Sequence, residues 1–262
     1  MSKQKDKPEI FNHGVLLYQN PNHKRKVIFN CLKETLSQER GILYIAGDEP
    51  PAKIYQEMFD FGFNVKNLQK EGMLKVVNFD EWYLINGKFD LKNVKALLTK
   101  TYNENLEKGI KGLFICGEMG CFFQHNLIND LLKYEKSIGK TFKISINAVC
   151  AYDINNIIQL EAKLFFDLIR SHNQVFSPSF SGLFDFEDFY FQILSQKLET
   201  VVGSVFAKKL LSFLSKWRPL LEAELEDGTE DLHTALESFI GSQARQIEEK
   251  TWLKITEKFG LV

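Results

Sequence analysis

The sequence is poor in the features that most readily announce a function. None of its four cysteines, Cys31, Cys116, Cys121 and Cys150, stands at CxxC spacing. That sets aside paired-cysteine motifs and fits a reduced, cytoplasmic chain. No apolar run reaches the ~18 residues that cross a bilayer and no signal peptide is evident, so no membrane partner is expected. Neither charge sign is in excess: 33 Lys and Arg stand against 34 Asp and Glu, for a net charge of −1. His23-Lys-Arg-Lys26 is the one basic block, which argues against direct nucleic-acid binding by bulk electrostatics. Phosphate loops are missing as well. Where a GxxxxGK[ST] nest would follow the first strand, the chain reads Tyr18-Gln-Asn-Pro-Asn-His-Lys24, with no glycine. Gly117-Glu-Met-Gly120 is not a GxGxxG fingerprint. No cofactor is called for, although Lys24 or Lys26 with Asp48 could still meet a nucleotide phosphate.

What is present is a repeated grammar of apolar run, glycine or acid, then amphipathic segment. The runs Gly14–Tyr18, Ile42–Ala46, Leu74–Phe79, Leu113–Cys116 and Phe142–Val149 read as buried strands, with Gln174–Phe176 and residues 178–183 as short edge pieces. Helical patterns lie between them, over residues 23–36, 51–61, 91–106, 124–137 and 154–170. Asp90 and Asp153 are placed to cap helices, Pro50-Pro51 to open one, and Asn86-Gly87 marks a turn inside the loop 80–90. Alternating strands and helices predict an α/β fold, a mostly parallel sheet flanked by helices. From about Asp185 the grammar becomes helical only, so an all-helical C-terminal extension is expected. The 23 phenylalanines read as core, with an aromatic-lined pocket as the functional alternative.

Right-handed crossovers bring all the parallel strand ends to one edge, where ligands bind in open α/β sheets. Tyr18, Asp48, Glu49, Glu118 and Tyr152 are expected there together. Glu118 reads equally as a ligand-contacting acid and as an acid stabilised at a helix start. Cys116, Glu118, Cys121 and His125 are close in sequence, but strand alternation splays them, and no metal site is expected. Cys150 beside Tyr152 and Asp153, with His172 downstream, is the best nucleophile arrangement, against the plainer reading of a small core residue.

Several segments resemble the MEDS (methanogen/methylotroph DcmR sensory) domain family. They are His13-Gly-Val-Leu-Leu-Tyr18, the strand after Arg40, Gly87-Lys-Phe-Asp90, Gly112-Leu-Phe-Ile-Cys-Gly-Glu-Met119, Tyr134-Glu135, Ala148-Val-Cys-Ala-Tyr-Asp153 and Arg170-Ser-His172. The resemblance implies a RecA/KaiC-like fold with the phosphate loop lost, serving as a sensory module for small, hydrocarbon-derived ligands. With the polar start and the change to helical grammar, the expected layout is a flexible lead over residues 1–12, a MEDS-like α/β domain over 13–198 and a helical extension over 199–262. The ligand residues the resemblance adds are Met119, Cys150 and Asp153, beside Tyr18, Glu49, Glu118, Tyr152 and His172. The expected partners are a small organic ligand and a regulatory protein, or a second copy bound through the tail leucines Leu210, Leu211, Leu214, Leu220, Leu221 and Leu225. The alternatives are a degenerate KaiC-like nucleotide-binding protein or ATPase, using Lys24, Lys26 and Asp48, and a scaffold with a plugged edge.

Overall fold

The computed structural model describes residues 11–139, 141–142, 144–160, 162–177, 181–183, 186–205, 207–210, 212, 236–237, 240 and 241–260. The lead over residues 1–10, the tail leucines other than Leu210, and the acidic segment 225–231 lie outside them. Six parallel strands form the sheet in the order β9 (Gln174–Phe176), β1 (Phe11–Tyr18), β8 (Ile146–Asp153), β6 (Leu113–Glu118), β2 (Gly41–Ala46), β3 (Leu74–Asn78). Two short antiparallel pieces extend it: β10 (Ser181–Leu183) on β9 and β7 (Thr141–Phe142) on the start of β1. The predicted α/β class is the observed one.

The chain reverses direction across the sheet after β3, so its helices fall on both faces. One face is covered by α1 (Pro21–Ser37), α2 (Pro51–Asp60) and α3 (Val65–Lys70). Ile28, Phe29, Leu32, Ile54 and Met58 of these helices pack on Leu16, Tyr18, Tyr44, Cys116, Val149 and Ala151 of the strands. The opposite face carries α4 (Phe79–Tyr83), α5 (Leu91–Glu107), α6 (Gly120–Gln124) and α7 (Ile128–Ile138). There Tyr83, Phe122 and Tyr134 stack together, Tyr83 and Tyr134 edge to face at 5.4 Å. Among the described residues, Phe29, Phe63, Phe79, Phe114, Phe122, Phe165 and Phe259 are buried core, whereas Phe59 is exposed.

The local signals behave as their chemistry requires. Asn20 accepts from His23 N–H at 2.9 Å and Pro21 opens α1. Asp90 caps α5 and Asp153 caps α8 (Ile154–Ile157), accepting backbone N–H groups at 2.9 and 2.8 Å. Asn86 and Gly87 both take positive φ and close a hairpin between β4 (Leu84–Ile85) and β5 (Lys88–Phe89), so the expected loop 80–90 holds structure of its own. The largest shift is in the fifth strand. Its main body is β8, four residues later than the apolar run suggests, because Ile146–Asp153 is the stretch paired with both β1 and β6. Cys150 and Tyr152 thus sit inside a strand.

The chain divides into two compact units, Met1–Gln159 with Ser171–Leu183, and Leu160–Arg170 with Phe184–Val262. The second contains α9 (Ala162–Arg170), α10 (Phe186–Val202) and α11 (Gln243–Phe259), with α10 packed on both others. The boundary expected at residue 198 falls inside α10. Among the described residues no helix is long and apolar enough to cross a membrane.

β6 starts where the chain cannot carry a side chain. A methyl group at Gly112 would lie 2.5 Å from the Ser145 carbonyl oxygen and also against its hydroxyl. That same carbonyl accepts from Leu113 N–H at 2.9 Å, so it has little freedom to retreat. Gly112→Ala is expected to lower stability by about 1–3 kcal/mol in urea unfolding, while Lys111→Ala next to it stays within about 0.5 kcal/mol of wild type.

Candidate functional site

Buried polar residues form two clusters, one on each face of the sheet, and only the first lies at the carboxyl ends of the strands. The first is built on Glu118, the last residue of β6, which is 0% exposed. Its Oε1 accepts from Arg25 at 2.6 Å, from the Tyr44 hydroxyl at 2.6 Å and from Lys24 at 2.9 Å. Its Oε2 accepts from the backbone N–H groups of Gly47 and Asp48 at 3.0 and 2.9 Å. Helix α1 supplies both cations because its first turn lies over the strand ends. Lys24 also meets Asp48 at 2.6 Å, and Asp48 accepts from the Tyr18 hydroxyl at 2.8 Å. Arg25 also bonds Glu49 and Glu57, and Glu49 is held in turn by Lys53.

Burial alone would push the Glu118 carboxyl upward. The charges of Lys24 and Arg25, with the Tyr44 and Lys24 hydrogen bonds, overcome it and hold the group at about 2. For Lys24, burial is likewise outweighed by Glu118 and Asp48, which raise its pKa. Burial and the neighbouring Asp48 raise the Tyr18 phenol. This cluster is ionised and internally saturated.

The second cluster lies on the opposite face and takes its residues from four places in the chain: His13 on β1, Glu135 on α7, Cys150 on β8 and His172 just before β9. All four are buried. His13 Nδ1 contacts two backbone carbonyls, Gly139 at 2.9 Å and Ser171 at 3.1 Å. Two acceptors at one nitrogen require it to carry the proton, which leaves Nε2 with its lone pair. That Nε2 lies 3.4 Å from Cys150 Sγ and 3.3 Å from Glu135 Oε2. His172 Nε2 is 3.5 Å and Cys150 Sγ 3.8 Å from the same Glu135 oxygen. The other Glu135 oxygen accepts from the Tyr152 hydroxyl. The two histidine segments are tied together: Asn173 N–H donates to the His13 carbonyl at 2.9 Å, and His13 N–H donates to the Asn173 side chain at 3.1 Å.

Burial sets the charge state here. It lowers His13 to about 4, against its two backbone bonds, and raises Glu135 to about 7, against the Tyr152 and Cys150 hydrogen bonds. Burial and then Glu135 push the Cys150 thiol well up. That is the reverse of what an activated cysteine nucleophile requires.

The predicted residues therefore divide by strand parity. Tyr18, Asp48, Glu49 and Glu118 come together with Lys24, whereas Lys26 is exposed. Cys150, Tyr152 and His172 belong to the other face. Met119 is buried, its sulfur 3.9 Å from the Tyr83 hydroxyl, and Asp153 caps α8. Gathering Tyr152 with Glu118 at one place is the expectation that needs correction: Glu118 is registered with Ala151, so the neighbouring Tyr152 points the other way. Cys116, Cys121 and His125 do not converge with Glu118 on a common point; Cys121 donates to the Gly47 carbonyl at 2.9 Å and His125 stacks on Phe79. Arg25, Tyr44, Glu57, His13 and Glu135 were not singled out as site residues from the sequence. For His13 the available signal was its parity with Val15 and Leu17, a polar residue opening a strand face that is otherwise apolar.

A family model described as MEthanogen/methylotroph, DcmR Sensory domain matches residues 12–173. Solved structures similar to the chain include an uncharacterized protein from Pyrococcus horikoshii in complex with an unknown peptide, at 10% identity and a TM-score of 0.48, covering 64% of this chain and 78% of that one. A KaiC-like protein from Pyrococcus horikoshii OT3 is similar at 13% identity and a TM-score of 0.44, covering 63% of this chain and 69% of that one. No curated protein matches the sequence.

Removing the Glu118 charge leaves Lys24 with Asp48 and Arg25 with Glu49 and Glu57, and takes from both buried cations the carboxylate they share. Glu118→Gln is expected to cost about 3–5 kcal/mol at neutral pH. The folded carboxyl titrates at about 2 against an ordinary 4.5, so its contribution is complete above about 4.5 and fades as pH falls toward 2. Urea unfolding of both proteins across that window should show their difference shrinking on acidification.

Proposed function

This chain belongs to the MEDS family of sensory domains, and we propose that it is a non-enzymatic signal-transduction module. It binds a small organic ligand and relays occupancy through its helical C-terminal segments to a regulatory protein or a second copy. The observation that carries this reading is the closure of the strand-end cluster. Lys24, the cation nearest the position of a phosphate-loop lysine, is 2% exposed and held by Asp48 and Glu118. A phosphate would have to break those pairs before it gained any contact, and no glycine nest would help it.

The opposite face supports the ligand reading. Tyr152, Cys150 and His172 supply polar atoms, burial pushing the Tyr152 phenol and the Cys150 thiol well up, and Tyr83, Phe122 and Tyr134 provide an aromatic wall on the same side. An apolar ligand with one polar group fits that chemistry. Connectivity supports the relay: α9 ends at Arg170, two residues before His172. A ligand that resets the clamp between His13 and Asn173 therefore acts on the chain where it leaves the helical unit.

Thermal-shift and calorimetric screening of small hydrocarbon derivatives against millimolar Mg-ATP tests the reading. One class of organic ligand should raise Tm saturably, Tyr152→Phe should weaken the effect, and Mg-ATP should do nothing. Phosphate release from ATP, or stabilisation by Mg-ATP alone, would favour the nucleotide alternative instead. Light scattering of the full chain with and without the ligand then reads the relay as a change in assembly.

A further inference from the structure

We propose that His13, Glu135, Cys150 and His172 form a closed tetrahedral site for one divalent metal ion of the zinc class. Their donor atoms, one from each residue, all lie within 4.8 Å of one another. The separations are informative. His13 Nε2 and His172 Nε2 stand 3.3 and 3.5 Å from Glu135 Oε2, beyond the roughly 2.7–3.2 Å of an N–H···O hydrogen bond. The sulfur stands 3.4 Å from His13 Nε2 and 3.8 Å from the carboxylate oxygen. A tetrahedral ion with bonds of about 2.0–2.1 Å to nitrogen or oxygen and about 2.3 Å to sulfur has edges of about 3.3–3.6 Å. Three of these four separations fall in that range and the fourth, sulfur to carboxylate oxygen, exceeds it by about 0.2 Å, so small side-chain shifts would close the quartet on such an ion.

The supporting hydrogen bonds point the same way. A metal-binding histidine normally gives its other ring nitrogen to a carbonyl or carboxylate. His13 does so twice, to Gly139 and Ser171. Glu135 is fixed by Tyr152 through Oε1, which leaves Oε2 for the centre as a single-oxygen ligand. The donors come from two strands, a helix and a segment clamped to β1 by Asn173, so the geometry rests on rigid elements. Two imidazoles, a thiolate and one carboxylate oxygen suit zinc or cobalt and not the all-oxygen preference of magnesium or calcium. On binding, the Cys150 thiol gives its proton to solvent and the sulfur bonds to the metal, with no redox change. Four protein donors leave no position for an activated water, so the ion ties β1, β8, α7 and the segment before β9 together and performs no hydrolysis. Cys150 and His172 also belong to the proposed ligand face, so a bound ion would take their donor atoms and leave Tyr152 and the aromatic wall to an organic ligand; metal binding itself does not depend on that ligand.

The full chain, made without a histidine tag and stripped with a chelator, should be titrated with Zn²⁺ and Co²⁺. One equivalent of either ion is expected, with a rise in Tm. Cobalt should give the intense visible bands of tetrahedral coordination and a thiolate charge-transfer band in the near ultraviolet. Cys150→Ser should lose that band while keeping its circular dichroism, and His172→Ala should weaken zinc at least about 10-fold. If the variants do not fold, the wild-type cobalt spectrum decides alone: tetrahedral bands with a thiolate transition support the site, and their absence overturns it. Wild-type spectra and affinity retained by both folded variants would also overturn it. An organic-ligand screen can fail without affecting either result.

Discussion

Glu118 is a full negative charge with no solvent contact, and the end of the sheet is organised by the need to compensate it. An isolated carboxylate in that position would be prohibitively costly. Here five donors surround it, two of them backbone N–H groups at the end of β2 and two of them cations from α1. The compensation locks β6, β2 and α1 together. Such a network contributes modestly to net stability, because desolvation consumes most of the Coulomb gain, yet breaking it from one side is expensive. Its main effect is specificity: it fixes where α1 begins over the sheet and occupies the space and the charges that an incoming phosphate would need.

The opposite face solves the problem of buried polar groups differently. There burial lowers the His13 pKa and raises those of Glu135 and Cys150, which disfavours their charged forms. Backbone carbonyls and a tyrosine hydroxyl orient them, and full countercharges play no part. An ionised, saturated cluster has no spare capacity to respond to a ligand. The second cluster instead gathers donor atoms of four residues within 4.8 Å of one another. The two faces of one sheet thus carry an ionised lock and a buried donor cluster within a few residues of each other along β8 and β6.

Much of the fold was legible in local chemistry. Apolar runs ending in glycine or acid gave the strands. Asn20, Asp90 and Asp153 marked helix starts, and Asn86-Gly87 marked a hairpin. The missing phosphate loop and the polar character of the strand ends were equally visible. The fifth strand was misplaced because Phe142 to Val149 is as apolar as a strand needs to be. Only pairing with β1 and β6 selects Ile146–Asp153.

The sequence by itself determined the class of fold, the helical C-terminal region and the set of polar residues at the strand ends, since these follow from periodicity, caps and composition. Tertiary structure alone decided how those residues were grouped. Register assigned Glu118 to one face and Tyr152 to the other, because side chains alternate and the phase is set by the partner strand. It also decided that Lys24 and Arg25 would be used up inside the protein. And it joined His13 to His172, 159 positions apart, through a clamp of backbone and asparagine hydrogen bonds that no local pattern announces.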